Sequence, residues 1–154
     1  MSENREINDI LAQIEEKGKA YFYTKGVSML PTLKEGRDIS VLAPLTREIK
    51  RGDVVLFTRK GEPDRLVLHR VIKRRRDGIY LIRGDNTYRN EPVKEKNVLA
   101  LLEGFFRKGR YFDCEKSKRY RIYSSLWMFF YPFRKAFYFL PRRAAAKIKH
   151  ALFG

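Results

Sequence analysis

Ile7, Ile10, Leu11 and Ile14 recur three and four residues apart, which gathers them on one side of a helix over residues 5–17. Gly18 follows, and glycine is a natural stop for such a helix. From residue 20 the spacing changes. Short apolar or alternating runs predict strands over 20–25, 38–43, 53–59, 65–75, 78–84 and 97–106. Glu35-Gly36, Arg51-Gly52-Asp53, Gly61-Glu62-Pro63-Asp64 and Asp77-Gly78 punctuate these runs as turns. Asp77-Gly78 carries the signature of a type I′ hairpin. Strand follows strand with no helical segment between, which argues against βαβ units and for a mainly β fold, a coiled sheet or small barrel.

The last third has a different texture. Between Tyr120 and Phe139 lie ten aromatic residues, interrupted by Arg134 and Lys135 and punctuated by Pro132 and Pro141. A basic helix-forming run, Arg142-Arg143-Ala144-Ala145-Ala146-Lys147-Ile148-Lys149, comes next. The chain thus divides into an N-terminal amphipathic helix (1–19), a β domain (20–110) and a basic, aromatic, helical tail (111–154). Aromatic and basic side chains interleaved in this way suit packing on the β core or a seat at an anionic bilayer surface through residues 120–150. Stacking on single-stranded nucleic acid uses the same residue types.

Charge sharpens this division. Of the net +16, residues 1–104 contribute +5 (21 basic, 16 acidic) and residues 105–154 contribute +11 (13 basic, 2 acidic). Such a field attracts anionic partners without choosing among them. Cys114 is the sole cysteine, so no intramolecular disulfide and no cysteine-based zinc site is expected. Met1 to Lys19 lacks the apolar core of a secretory signal, and no run of about 20 uncharged apolar residues occurs anywhere. The expected location is the cytoplasm, with the tail at the inner membrane face.

Candidate chemistry lies in the β region. Ser28 sits between Gly26 and Pro31, residues that restrict the backbone to a turn able to project a hydroxyl. His69 interrupts the apolar run Leu66-Val67-Leu68-His69-Arg70-Val71-Ile72. An imidazole is the side chain whose ordinary titration best suits general-base work near neutral pH. Asp85 falls in a Gly84-Asp85-Asn86 turn after a strand and could orient the imidazole. Nucleophile, base and acid in that order suggest a serine peptidase. Lys73, four residues beyond His69, would share its strand face, but it leads into the basic run 73–76 of a solvated hairpin tip.

In these segments the chain resembles the type I signal peptidase family, which shares its catalytic fold with self-cleaving repressors. The resemblance spans about Tyr21 to Phe106. Ser28-Met29-Leu30-Pro31-Thr32 looks like the nucleophile box, and Arg51-Gly52-Asp53-Val54-Val55 like the structural strand box. His69-Arg70-Val71-Ile72 looks like the box of the general base, and Gly84-Asp85-Asn86 like the last box. A histidine at the base position is similar to the endoplasmic-reticulum and archaeal branch, which implies a Ser–His–Asp arrangement. The last box of that branch holds a second acid six positions on, here Glu91. The resemblance therefore leaves Asp85 or Glu91 to orient His69, with Asp85 preferred for the closer match around it. Many relatives carry an oxyanion-binding serine two residues before the nucleophile; this chain has Gly26.

The implied activity is that of a serine endopeptidase cutting an extended peptide, with small residues near the cut and no metal or organic cofactor. Two rivals remain open. One is an inactive fold acting as a membrane-surface or partner-binding module. The other is a nucleic-acid-associated regulator, disfavoured because no helix-turn-helix precedes the sheet.

Overall fold

Val54-Val55-Leu56-Phe57 is buried on both faces, which is why it reads as an unbroken apolar run rather than an alternating one. It belongs to a sheet with a core on each side. The computed structural model describes the backbone of residues 2–59 and 61–153. It describes side chains over that span except at 2–4, 63, 64 and 147–153. Helix α1 (Ser2–Lys17) is followed by strands β1 (Ala20–Tyr23), β2 (Asp38–Ala43), β3 (Val54–Arg59), β4 (Glu62–Arg74) and β5 (Ile79–Arg83). Strands β6 (Glu91–Lys94), β7 (Val98–Arg107) and β8 (Arg110–Asp113) complete the sheet. The strands pair antiparallel in the order β1-β2-β7-β3-β4-β5-β6, with β8 added on β7. The mainly β architecture expected from the pattern is the one observed.

Residues 54 and 56 point to one core, with Phe22, Met29, Leu33 and Leu68. Residues 55 and 57 point to the other, with Val71, Tyr80 and Ile82. Helix α1 closes the first core through Ile10 and Ile14, while Leu11 stays exposed. Gly18 adopts φ +70° and its N–H bonds to Ile14, the usual left-handed stop of a helix.

Three local expectations need correction. The Asp77-Gly78 turn is not type I′, because only Gly78 has positive φ and that type needs two such residues. Instead Arg75 N–H bonds to Ile79 across a longer loop. β4 begins at Glu62, inside the run expected to turn. A bulge between Val71 and Lys73 breaks the face parity that would have set Lys73 beside His69, and Lys73 is exposed.

The tail forms α2 (Lys118–Phe129), α3 (Tyr131–Arg134), a wider π turn over 135–139, and α4 (Leu140–Phe153). Ser117 caps α2 by accepting the Tyr120 N–H. No described helix is long and apolar enough to cross a membrane. Tyr120, in the first turn of α2, packs against Phe105, and burial pushes the neighbouring Cys114 thiol up to about 12, so it remains a protonated packing group.

One buried ion pair joins these parts. Arg70 is fully buried and Asp85 is 5% exposed. Arg70 Nε and Nη2 donate to the two Asp85 carboxylate oxygens, both at 2.7 Å. Arg70 Nη1 donates to the Gly52 carbonyl at 2.8 Å and to Ser124 Oγ of α2 at 2.5 Å. Thr32, from the serine segment, donates its hydroxyl to the same carboxylate. Burial would lower the Arg70 pKa, but the Asp85 charge outweighs it and the net shift is upward.

Removing one partner strands the other charge in a dry site, at a cost of about 3–5 kcal/mol. Arg70→Met and Asp85→Leu should each lower stability by about that much in urea unfolding, and the double variant by clearly less than their sum. Additive losses would show that the pair is not coupled.

Candidate active site

Ser28 is presented by a short turn whose flanks are anchored in the core. Met29 and Leu33 are both fully buried, while Val27 is 64% exposed. Leu30 N–H bonds to Val27 and Leu33 N–H to Met29, which closes the turn. Gly26 stands where the resemblance implied a serine, and its backbone accounts for the glycine. It holds φ +79°, a conformation that costs any other residue strain, and its N–H donates to Glu35 at 2.7 Å. The Ser28 N–H donates to no other described group.

The Gly84-Asp85-Asn86 loop grips this turn. Asn86 N–H donates to the Ser28 carbonyl at 2.8 Å, and the Asn86 side-chain amide donates to the Val27 carbonyl at 3.2 Å. A Cβ on Gly84 would fall 2.6 Å from the Ser28 main-chain carbonyl oxygen and 2.8 Å from His69 Nε2. The position must therefore be glycine. The same clash distances show that the serine turn and the imidazole both close on the backbone of Gly84.

His69, on β4, is 2% exposed and lies beside Phe57 with ring centroids 6.0 Å apart. Its Nε2 faces Gly84, and its Nδ1 is 2.9 Å from Glu91 Oε1, though that oxygen lies off the line of an ideal N–H bond. Glu91 stands on β6, and Arg59 of β3 holds it with two bonds of 2.5 and 2.9 Å. Burial alone would raise the Glu91 carboxyl. His69 and Arg59 outweigh it and hold the group at about 2, against an ordinary 4.5.

The two acids that the resemblance offered for His69, Asp85 and Glu91, lie on different sides of β4. His69 and Arg70 are neighbours on a strand, so their side chains leave on opposite faces. Asp85 lies on the face of Arg70, and both its oxygens are taken there. Glu91 is the acid on the histidine's face. Arg59 and Arg70 were not singled out from the sequence. A buried arginine looks like any other in a chain with 34 basic residues. The signal that could have found Arg70 is its place within an otherwise apolar strand.

Ser28 and His69 both line a cleft of about 330 Å3, with Phe22, Thr24, Leu68 and Thr87. Among the described residues no hydrogen bond joins Ser28 Oγ to His69, a bond that ligand-free sites often leave open. β1 pairs only with β2, and β4 pairs with β5 only from Arg70 onward. Two free strand edges thus flank the cleft among the described residues. A larger hollow of about 670 Å3, between the 44–53 loop and α2, contains neither Ser28 nor His69. Among the described residues no three His, Cys, Asp or Glu side chains converge on a metal-sized site.

The tail also reaches this region. Trp127 Nε1 and Arg134 Nη1 both donate to the Asp85 carbonyl, at 3.2 and 2.9 Å, and Tyr131 donates its hydroxyl to the Tyr88 carbonyl. The aromatic segment expected either to pack or to stay free at a membrane surface does pack along this one side.

A carboxyl depressed in the folded state adds stability that is complete above its ordinary pKa and is lost as pH falls through the folded one. The difference in urea midpoint between wild type and Glu91→Gln should therefore hold steady above about pH 5 and shrink as pH falls from 4.5 toward about 2. A gap unchanged over that window would mean that the Glu91 charge is not engaged by its neighbours.

The Peptidase S24-like family model matches residues 2–102, a span that contains Ser28, His69, Asp85 and Glu91. No curated protein matches the chain. The family match covers well over half of the sequence and falls on the elements that build the cleft, and by it the chain belongs to the Peptidase S24-like family.

Proposed function

We propose that this protein is a serine endopeptidase with a Ser28–His69–Glu91 relay. The observation that carries the reading is the convergence of the Ser28 turn and His69 Nε2 at Gly84, with Glu91 2.9 Å from the opposite ring nitrogen. Ser28 Oγ attacks the scissile carbonyl carbon while its proton passes to His69 Nε2. Glu91, itself held by Arg59, keeps the ring oriented and balances the imidazolium charge. The oxyanion is received by the Ser28 N–H. Collapse breaks the C–N bond, and His69 gives its proton to the leaving amine. Water then attacks the acyl-serine ester, with His69 again as base, and frees the serine. The substrate lies in the cleft as an extended strand, offered backbone pairing by the free edges of β1 and β4.

Gly26 supplies no hydroxyl to the oxyanion. A missing donor of that kind costs roughly 3 kcal/mol of transition-state stabilisation, so slow, selective turnover on one dedicated peptide is the expected behaviour.

Ser28→Ala and His69→Ala should each lower kcat/KM by about 10⁴-fold or more, and Glu91→Gln by roughly 10²- to 10⁴-fold. Substrates trapped on Ser28→Ala provide the assay, and labelling by a serine-directed fluorophosphonate provides a second readout. Labelling should vanish in Ser28→Ala and slow in His69→Ala and Glu91→Gln. Undiminished cleavage by Ser28→Ala would overturn the mechanism, and a wild type that is never labelled would favour a binding module without turnover. Gly84→Ala should cost about as much as losing His69, since the new methyl group drives the base and the serine turn apart; wild-type activity there would contradict the convergence.

A further inference from the structure

The inner side of the tail is occupied by its bonds to the 85–88 loop, but its outer side is not. Ile122, Leu126, Phe129, Phe133, Phe137 and Leu140 follow one another at steps of three or four residues. All six are exposed, Phe129 to 67% and Phe137 to 79%. Scattered apolar residues on a surface need no explanation, whereas a continuous row does. Exposed bases accompany the row: Lys118, Arg119, Arg121 and Arg142, and Lys135 and Arg143 are exposed as well while lying over the Tyr88 ring. No acidic residue occurs after Glu115.

We infer that α2, α3 and α4 form a docking strap for an anionic lipid bilayer, with its apolar row in the boundary between headgroups and acyl chains and its cations among the phosphates. Three observations select this occupant. Ten lysines and arginines after Glu115, with no carboxylate among them, match a surface of fixed negative charge. A second copy of the chain carries the same +16, so strap against strap would set like charges face to face. Ile122, Leu126 and Leu140 present aliphatic surface, on which nucleic-acid bases do not stack as they do on rings. The strap lies on the surface rather than across the bilayer, since no described helix is long and apolar enough to span one.

The inference stands apart from the catalytic proposal and concerns where the cleft is held. Trp127, Tyr131 and Arg134 bond to the carbonyls of Asp85 and Tyr88. A docked strap would therefore fix the active-site loop at the bilayer surface, where a peptide emerging from or resting on the membrane is within reach.

Flotation of the full chain with phosphatidylcholine vesicles, with and without about one third phosphatidylglycerol, tests this. Wild type should float with the anionic vesicles and at least about tenfold more weakly with neutral ones. A Phe129→Ser, Phe133→Ser, Phe137→Ser variant should lose at least about tenfold in binding, as should Arg142→Glu with Arg143→Glu. All five sites are exposed, and an unchanged circular dichroism spectrum confirms the fold. Ser28→Ala should float like wild type, which separates docking from catalysis. Failure of wild type to float, or undiminished flotation of the triple variant, would overturn the inference. So would tighter binding to a single-stranded oligonucleotide at equal salt, or a dimer that the triple variant dissolves in the absence of vesicle binding.

Discussion

The bidentate pair of Arg70 with Asp85 is the constraint through which the remaining parts of the molecule meet. Its members come from β4 and from the loop after β5, and its remaining bonds reach the Gly52 turn, the serine segment through Thr32, and α2 through Ser124. Five separate stretches of chain thus share one charge cluster. Two ions this deeply buried stabilise a fold only when their hydrogen-bonding capacity is met, and here the guanidinium and the carboxylate each find several partners. The cluster's larger effect is to specify position. It fixes where the Gly84-Asp85-Asn86 loop lies, and that loop fixes the distance between the serine turn and the histidine.

The alternation of β4 divides labour between two adjacent residues. His69 and Arg70 leave the strand on opposite sides, and each meets its own carboxylate. One pair lies at the cleft, with Glu91 a quarter exposed, and the other is sealed from water. The geometry keeps His69, the proposed base, out of the structural ion pair, so proton transfer at His69 need not disturb the charge pair that holds the loop. Arg59 performs for Glu91 part of what Arg70 performs for Asp85, but from β3 and at the protein's edge.

Much of this was legible along the chain. Val54–Phe57 announced a strand because both faces of it are buried, and Ser28 and His69 stood out because each breaks its local pattern. What failed to show depended on contacts distant in sequence. β6 is Glu91-Pro92-Val93-Lys94, a short edge strand whose proline and charges hide its pairing. The choice between Asp85 and Glu91 could not be made from motif similarity, since it rests on which face of β4 each acid reaches. The role of Gly26 was obscure for a similar reason: a positive φ is a property of the backbone path and leaves no mark on neighbouring residue types.

The tail shows how a segment of ambiguous composition can serve two ends at once. Its polar atoms at Trp127, Tyr131 and Arg134 turn inward, and what they bind are main-chain carbonyls. A hold on carbonyl oxygens follows the path of the loop, and it adds to the grip that Arg70 takes on the Asp85 carboxylate. The guanidinium of Arg134 also lies 3.6 Å over the Trp127 ring, an attraction that needs no acidic partner. A strap built this way needs no carboxylates for its own packing. It can therefore carry cations with no carboxylates beside its exposed apolar row, and that combination is what an anionic bilayer requires.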